Sequence, residues 1–121
     1  MIVRGPRSAA DVWEDYARIE RWPTWSPQIT SVTASADRIA PGVTGTVRSG
    51  PLRIPFTVLD VDEDARTWTW RAAGMTLDHG VLDLPGGCGT TLRAPAPYRP
   101  VAWPALWRLT HRQQPGHRLH R

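Results

Sequence analysis

Lysine is absent from this 121-residue chain. All fifteen basic side chains are arginine. With the abundant Ala, Gly and Pro, this reads as a coding bias rather than a functional signal. Cys88 is the single cysteine, which excludes an intrachain disulfide and a thiolate zinc cluster. No apolar run approaches the length of a membrane span. The first residues, MIVRGPRSAADVWEDY, have neither the apolar stretch nor the small-residue cleavage site of a signal peptide. The resulting expectation is a cytoplasmic protein without a transmembrane segment. No nucleophile–base pair and no pair of inward carboxylates stands out, so no catalytic residue is assigned. The spacing of His111, His117 and His120 matches no metal motif, and neither a metal nor another cofactor is expected.

The charge that is present is unevenly placed. Residues 1–98 hold ten Arg and eleven Asp or Glu, whereas residues 99–121 hold five Arg and no acid. The body is close to neutral and the end is basic. A nucleic-acid protein would instead spread a basic face with exposed aromatics over its fold, so no nucleic-acid partner is expected. The length fits a single domain, and the hydrophobic share of 40% suffices for a core.

Seven tryptophans are the chain's most distinctive content. Residues 8–18 read as a helix, with Ser8 as N-cap and Ala9, Val12, Trp13, Tyr16 and Ala17 at helical spacing. A short helical turn follows around 19–24, where Pro23 prevents regular continuation. Strands are expected at 2–4, 28–36, 44–49, 52–61, 67–72, 76–84 and 89–94, separated by Pro-Gly, Gly-Pro and acidic turns. In 67–72 the alternation is strict, and it puts Trp68 and Trp70 on one face. Trp103, Leu106, Trp107 and Thr110 recur at i, i+3, i+4 and i+7. With Pro104 near its start, this gives a helix over 103–114 that lays both tryptophans on the sheet. Strands in a run, flanked by helices, give an α+β class with an antiparallel sheet.

Three segments in order carry a resemblance. ADVWEDYARIERWPTWSPQI (10–29), GPLRIPFTVLDVDEDARTWTWRAAG (50–74) and LDHGVLDLPGGCGTT (77–91) resemble the polyketide cyclase/dehydrase and lipid-transport proteins of the START-like (SRPBCC) superfamily. The resemblance covers about residues 8–112. It implies a helix-grip fold, in which a curved antiparallel sheet packs on a C-terminal helix, with two short helices after the first strand and a cavity between sheet and helix. Against that family the terminal helix looks shortened. The expected domain is 1–114, with a mobile basic tail over 115–121.

The implied function is binding of a small hydrophobic molecule, polyketide-, aromatic- or lipid-like. The alternatives are a cyclase/dehydratase-type enzyme and a remnant that has lost its cavity. Candidate pocket residues are Trp25, Phe56, Trp68, Trp70, His79 and Trp107. Each has a packing role as its competitor: Trp22 and Trp25 as a wedge at the end of the sheet, Trp68 and Trp70 as core. His79 would hydrogen-bond a ligand carbonyl or hydroxyl, act as an acid or base, or be satisfied by a neighbour. The sequence leaves the oligomeric state open.

Overall fold

The computed structural model describes residues 1–112. The tail over 115–121, and the last residues of the helix expected to reach 114, lie outside them. Seven strands form one antiparallel sheet: β1 (Ile2–Gly5), β2 (Ser31–Ala34), β3 (Thr44–Ser49), β4 (Leu52–Asp62), β5 (Thr67–Ala72), β6 (Met75–Leu84) and β7 (Gly87–Arg93). Their order across the sheet is β1-β7-β6-β5-β4-β3-β2. Between β1 and β2 the chain crosses from one edge to the other through α1 (Ala9–Ala17), a 3-10 turn (Ile19–Arg21) and α2 (Trp22–Trp25). It then returns strand by strand and ends in α3 (Arg99–His111), which packs on β1 and β7. This is the helix-grip α+β architecture.

Local chemistry explains the crossing. Ser8 caps α1 by accepting from the Asp11 amide at 3.1 Å. The far end of a helix leaves four carbonyls without intrahelical partners, and here each finds one. The Ile39 amide donates to the Ala17 carbonyl at 2.9 Å, and the Arg21 amide to that of Arg18 at 3.0 Å. The Trp25 indole N–H donates to the Asp15 carbonyl at 3.0 Å, and the Trp22 indole to that of Tyr16 at 2.9 Å. The RWPTW segment is therefore both a turn and a cap. Pro23 sits in the first turn of α2, where no amide donor is needed, and the two indoles fold back to close α1.

The concave face of the sheet carries the core. Trp68 pairs with His79 across β5 and β6, and His79 with Leu92 across β6 and β7. Trp70 pairs with Leu77 and Val58. A bulge in β4 between Val58 and Asp60 shifts the alternation by one residue. Val58 and Val61, of opposite parity, thereby both stay opposite the inward tryptophans.

α3 departs from the sequence expectation. It begins at Arg99 rather than 103, with Pro100 in its first turn and Pro104 in its interior, and it ends at His111. The residues it buries are Ala102, Ala105, Leu106, Leu109 and Thr110. Trp103 and Trp107 point the other way, 48% and 46% exposed. Two apolar stripes compete on this helix. The small Ala102 and Ala105 let its backbone approach the tryptophan-filled sheet, where a second layer of indoles would not fit. At Gly5 the helix backbone comes so close that an added Cβ would meet the Thr110 carbonyl.

Candidate functional site

Between the sheet and the N-terminal half of α3 lies a cavity of about 40 Å³. Trp68, Trp70 and His79 line it from the sheet, Trp22 and Trp25 from α2, and Ala102, Ala105 and Leu106 from α3. Beside it a groove of about 260 Å³ runs over Val47, Ile54 and Val101. Ser26, Gln28, Ile29 and Tyr98 border both. Tyr98 belongs to a 3-10 turn (Ala96–Tyr98) that joins β7 to α3.

The cavity is small because aromatic rings fill the space around it. Trp68 stacks on His79 with centroids 4.9 Å apart and on Trp70 at 5.4 Å, and Trp22 packs on Trp70 at 5.2 Å. Each such contact lies in the range where aromatic pairs attract beyond their area. Tyr16 closes the cluster from α1, edge-on to Trp25 at 5.4 Å. Its hydroxyl donates to the Thr90 hydroxyl, which donates on to the Gly80 carbonyl at 3.1 Å. Burial pushes the Tyr16 phenol well above its usual range, so it stays a neutral donor.

His79 is the polar centre of this wall. Its side of β6 faces inward and the residue is 8% exposed. Desolvation on burial lowers its pKa to about 3, with Asp78 acting weakly in the other direction, so the ring is neutral at ordinary pH. The Trp70 indole N–H donates to His79 Nε2 at 3.1 Å. An indole can only donate. Nε2 is therefore the unprotonated nitrogen and the proton sits on Nδ1. Among the described residues that Nδ1–H is buried without a hydrogen-bond partner, and so is the Trp68 indole N–H beside it. Buried donors are almost always paired. Two of them on stacked rings at one cavity are a polar demand in an otherwise apolar wall.

Of the residues singled out in the sequence, Trp25, Trp68, Trp70 and His79 come together here. Phe56 is buried one layer back, packed on Trp22 and Trp70 at 5.2 and 5.7 Å. Trp107 is the correction: it lies on the outer face of α3, with its ring stacked on His111 at 4.2 Å, because Ala105 and Leu106 take the inward positions. Sequence reasoning missed Gln28, Ile29 and Tyr98. Gln28 and Ile29 fall in the expected strand over 28–36 but precede β2, and Tyr98 sits in a Pro-rich connection where no periodicity marks an inward side.

Comparison with known proteins now bears on this geometry. The family model described as polyketide cyclase/dehydrase and lipid transport matches residues 3–106. This chain belongs to that family. No curated protein sequence matches it significantly. Solved structures similar to it include a protein from Thermobifida fusca at 19% identity (TM-score 0.67), covering 84% of this chain and 78% of that one. Another is Ara h 8.0201, at 13% identity and TM-score 0.67, covering 100% and 96%. A third is an uncharacterised protein from Bacillus thuringiensis, at 12% identity and TM-score 0.70, covering 91% and 93%. At these identities the likeness is one of fold. In this polyketide cyclase/dehydrase and lipid-transport member the cavity described above lies between sheet and helix. Among its described residues no helix is long and apolar enough to cross a membrane, and no cluster of His, Cys, Asp or Glu is arranged to hold a metal ion.

Proposed function

We propose that this chain binds a small, flat apolar molecule bearing a hydrogen-bond acceptor such as a carbonyl oxygen. The body of the molecule would lie in the groove over Val47, Ile54 and Val101, and its acceptor would reach past Tyr98 into the cavity. The observation that carries this reading is the pair of buried, unpartnered donors, His79 Nδ1–H and Trp68 Nε1–H, in an aromatic wall. Size agrees with it. Small-molecule sites usually span about 300–1,000 Å³, so the 40 Å³ cavity takes an oxygen-sized group and the 260 Å³ groove must take the rest. Family membership supports an apolar ligand of the polyketide, aromatic or lipid kind.

Binding is preferred over cyclase- or dehydratase-type catalysis for a physical reason. A general base works best with a pKa near the operating pH, and burial holds His79 near 3. It is a fixed hydrogen-bond donor rather than a proton shuttle.

Affinity for a flat hydrocarbon and for the ketone of the same skeleton, measured by calorimetry, tests the proposal. The ketone is expected to bind up to about ten-fold more tightly, the worth of one buried hydrogen bond. In a folded His79→Phe variant, with Trp68 Nε1–H as the remaining donor, the preference for the ketone should narrow. Equal affinities in the native protein, or no binding of either, would overturn the reading.

A further inference from the structure

The outer face of α3 has no role in the ligand reading, and it is built unlike a solvated face. Its outward positions are Pro100, Trp103, Pro104, Trp107, Arg108 and His111, at helical intervals of three and four. Trp103 and Trp107 each leave nearly half their surface in solvent. Val101, 54% exposed, widens the strip toward the groove. Arg99 and Arg108 flank it at either end, both exposed, and neither forms an ion pair among the described residues. From residue 99 to the end of the sequence there are five Arg and no acid.

We infer that the Trp103–Trp107 face of α3 docks on an anionic lipid surface. Exposed tryptophans between arginines match such a surface on both counts. Indole rings settle at the headgroup level of a bilayer, and a helix lying in that plane presents an apolar strip with basic flanks. Charge decides against one alternative occupant and ring access against another. A second copy would set Arg99 and Arg108 against their own counterparts with no carboxylate between them. A nucleic acid would need free aromatic faces for stacking, and one face of Trp107 is taken by His111 at 4.2 Å. The inner side of the same helix lines the cavity, so a docked surface would meet the mouth of the groove along Val101.

Co-sedimentation with vesicles of phosphatidylcholine, with and without phosphatidylglycerol, tests this without reference to any ligand. The full chain is expected to bind the anionic vesicles and to release them as salt rises. Each arginine near an anionic leaflet is worth about five-fold in affinity, so Arg99→Gln with Arg108→Gln should lose roughly thirty-fold. Trp103→Ser with Trp107→Ser should abolish binding while the thermal midpoint holds. Three results would overturn the inference: no binding by the native chain, binding unchanged by the tryptophan pair, or binding to neutral and anionic vesicles alike. So would a dimer in sedimentation equilibrium, or single-stranded RNA binding, that is lost with the tryptophan pair. The ketone preference at His79 is read independently of any of these.

Discussion

Asp15 and His79 show how differently a buried polar residue is accommodated. Asp15 is 2% exposed and is held by Arg7 at 2.8 Å and Arg21 at 3.2 Å, with Arg112 at 3.7 Å. Arg7 is itself buried and also donates to the Leu109 carbonyl at 2.8 Å, tying α1 to the end of α3. Removing one partner of a buried pair leaves the other charged and unpaired. Asp15→Ala should therefore cost about 3–5 kcal/mol in denaturant unfolding. Arg18→Ala breaks only the half-exposed pair with Glu14 and should cost less than about 1 kcal/mol. His79 is accommodated by losing its charge. Its pKa is near 6.5 when unfolded and about 3 when folded, so between those values the unfolded chain binds the extra proton. Its contribution is fully present above pH 6.5 and is lost as pH falls toward 3, at roughly 1.4 kcal/mol per pH unit within that window. Stability measured from pH 7 down to 4 should fall less steeply in His79→Phe than in the native chain. An identical slope would mean that His79 titrates alike in both states.

At the level of elements, α3 shows where sequence and structure part. Leu106 is fully buried and Trp107, the next residue, is about half exposed. Leu106→Ala should cost about 2–5 kcal/mol as a core truncation. Trp107→Ser should change the midpoint little, because it packs mainly on His111. The reverse order in thermal melts would restore the orientation expected from the sequence. Trp68 and Trp70 were legible because a strand repeats every two residues, and strict alternation leaves one choice of face. The helix was legible only in part: Leu106 and Thr110 are buried as their stripe predicts, but Ala102, Ala105 and Leu109 displace Trp103 and Trp107 from the inner face. Volume decided between them, and volume depends on how much of the interior the sheet has already filled. The capping role of Trp22 and Trp25 was also hidden, since the carbonyls they close are known only once α1 is seen to stop at Ala17. Strand boundaries moved little, except that β2 is Ser31–Ala34 rather than 28–36.

Across the whole molecule, β1 and β7 are neighbours although they are the first and last strands of the chain's described part. Ile2 pairs with Thr91 and Gly5 with Cys88, and the Met1 amine donates to the Leu92 carbonyl at 3.2 Å. This pairing has a consequence in time. On the ribosome the first strand emerges with no edge to join, and it must wait until β7 has been made before its amides find partners. The remaining strands form a meander of neighbours that can assemble on the way. Closing so long a loop is entropically expensive before any contact rewards it, and folds rich in such pairings fold in milliseconds to seconds rather than microseconds. Refolding in that slower range is expected, with β1 docking late. Val3→Ala, a truncation in β1 at a buried position, should then speed unfolding and leave the folding rate nearly unchanged. While it waits, the nascent chain holds an unpaired sheet edge and an uncovered row of indoles, the kind of surface that draws chaperones and neighbouring chains.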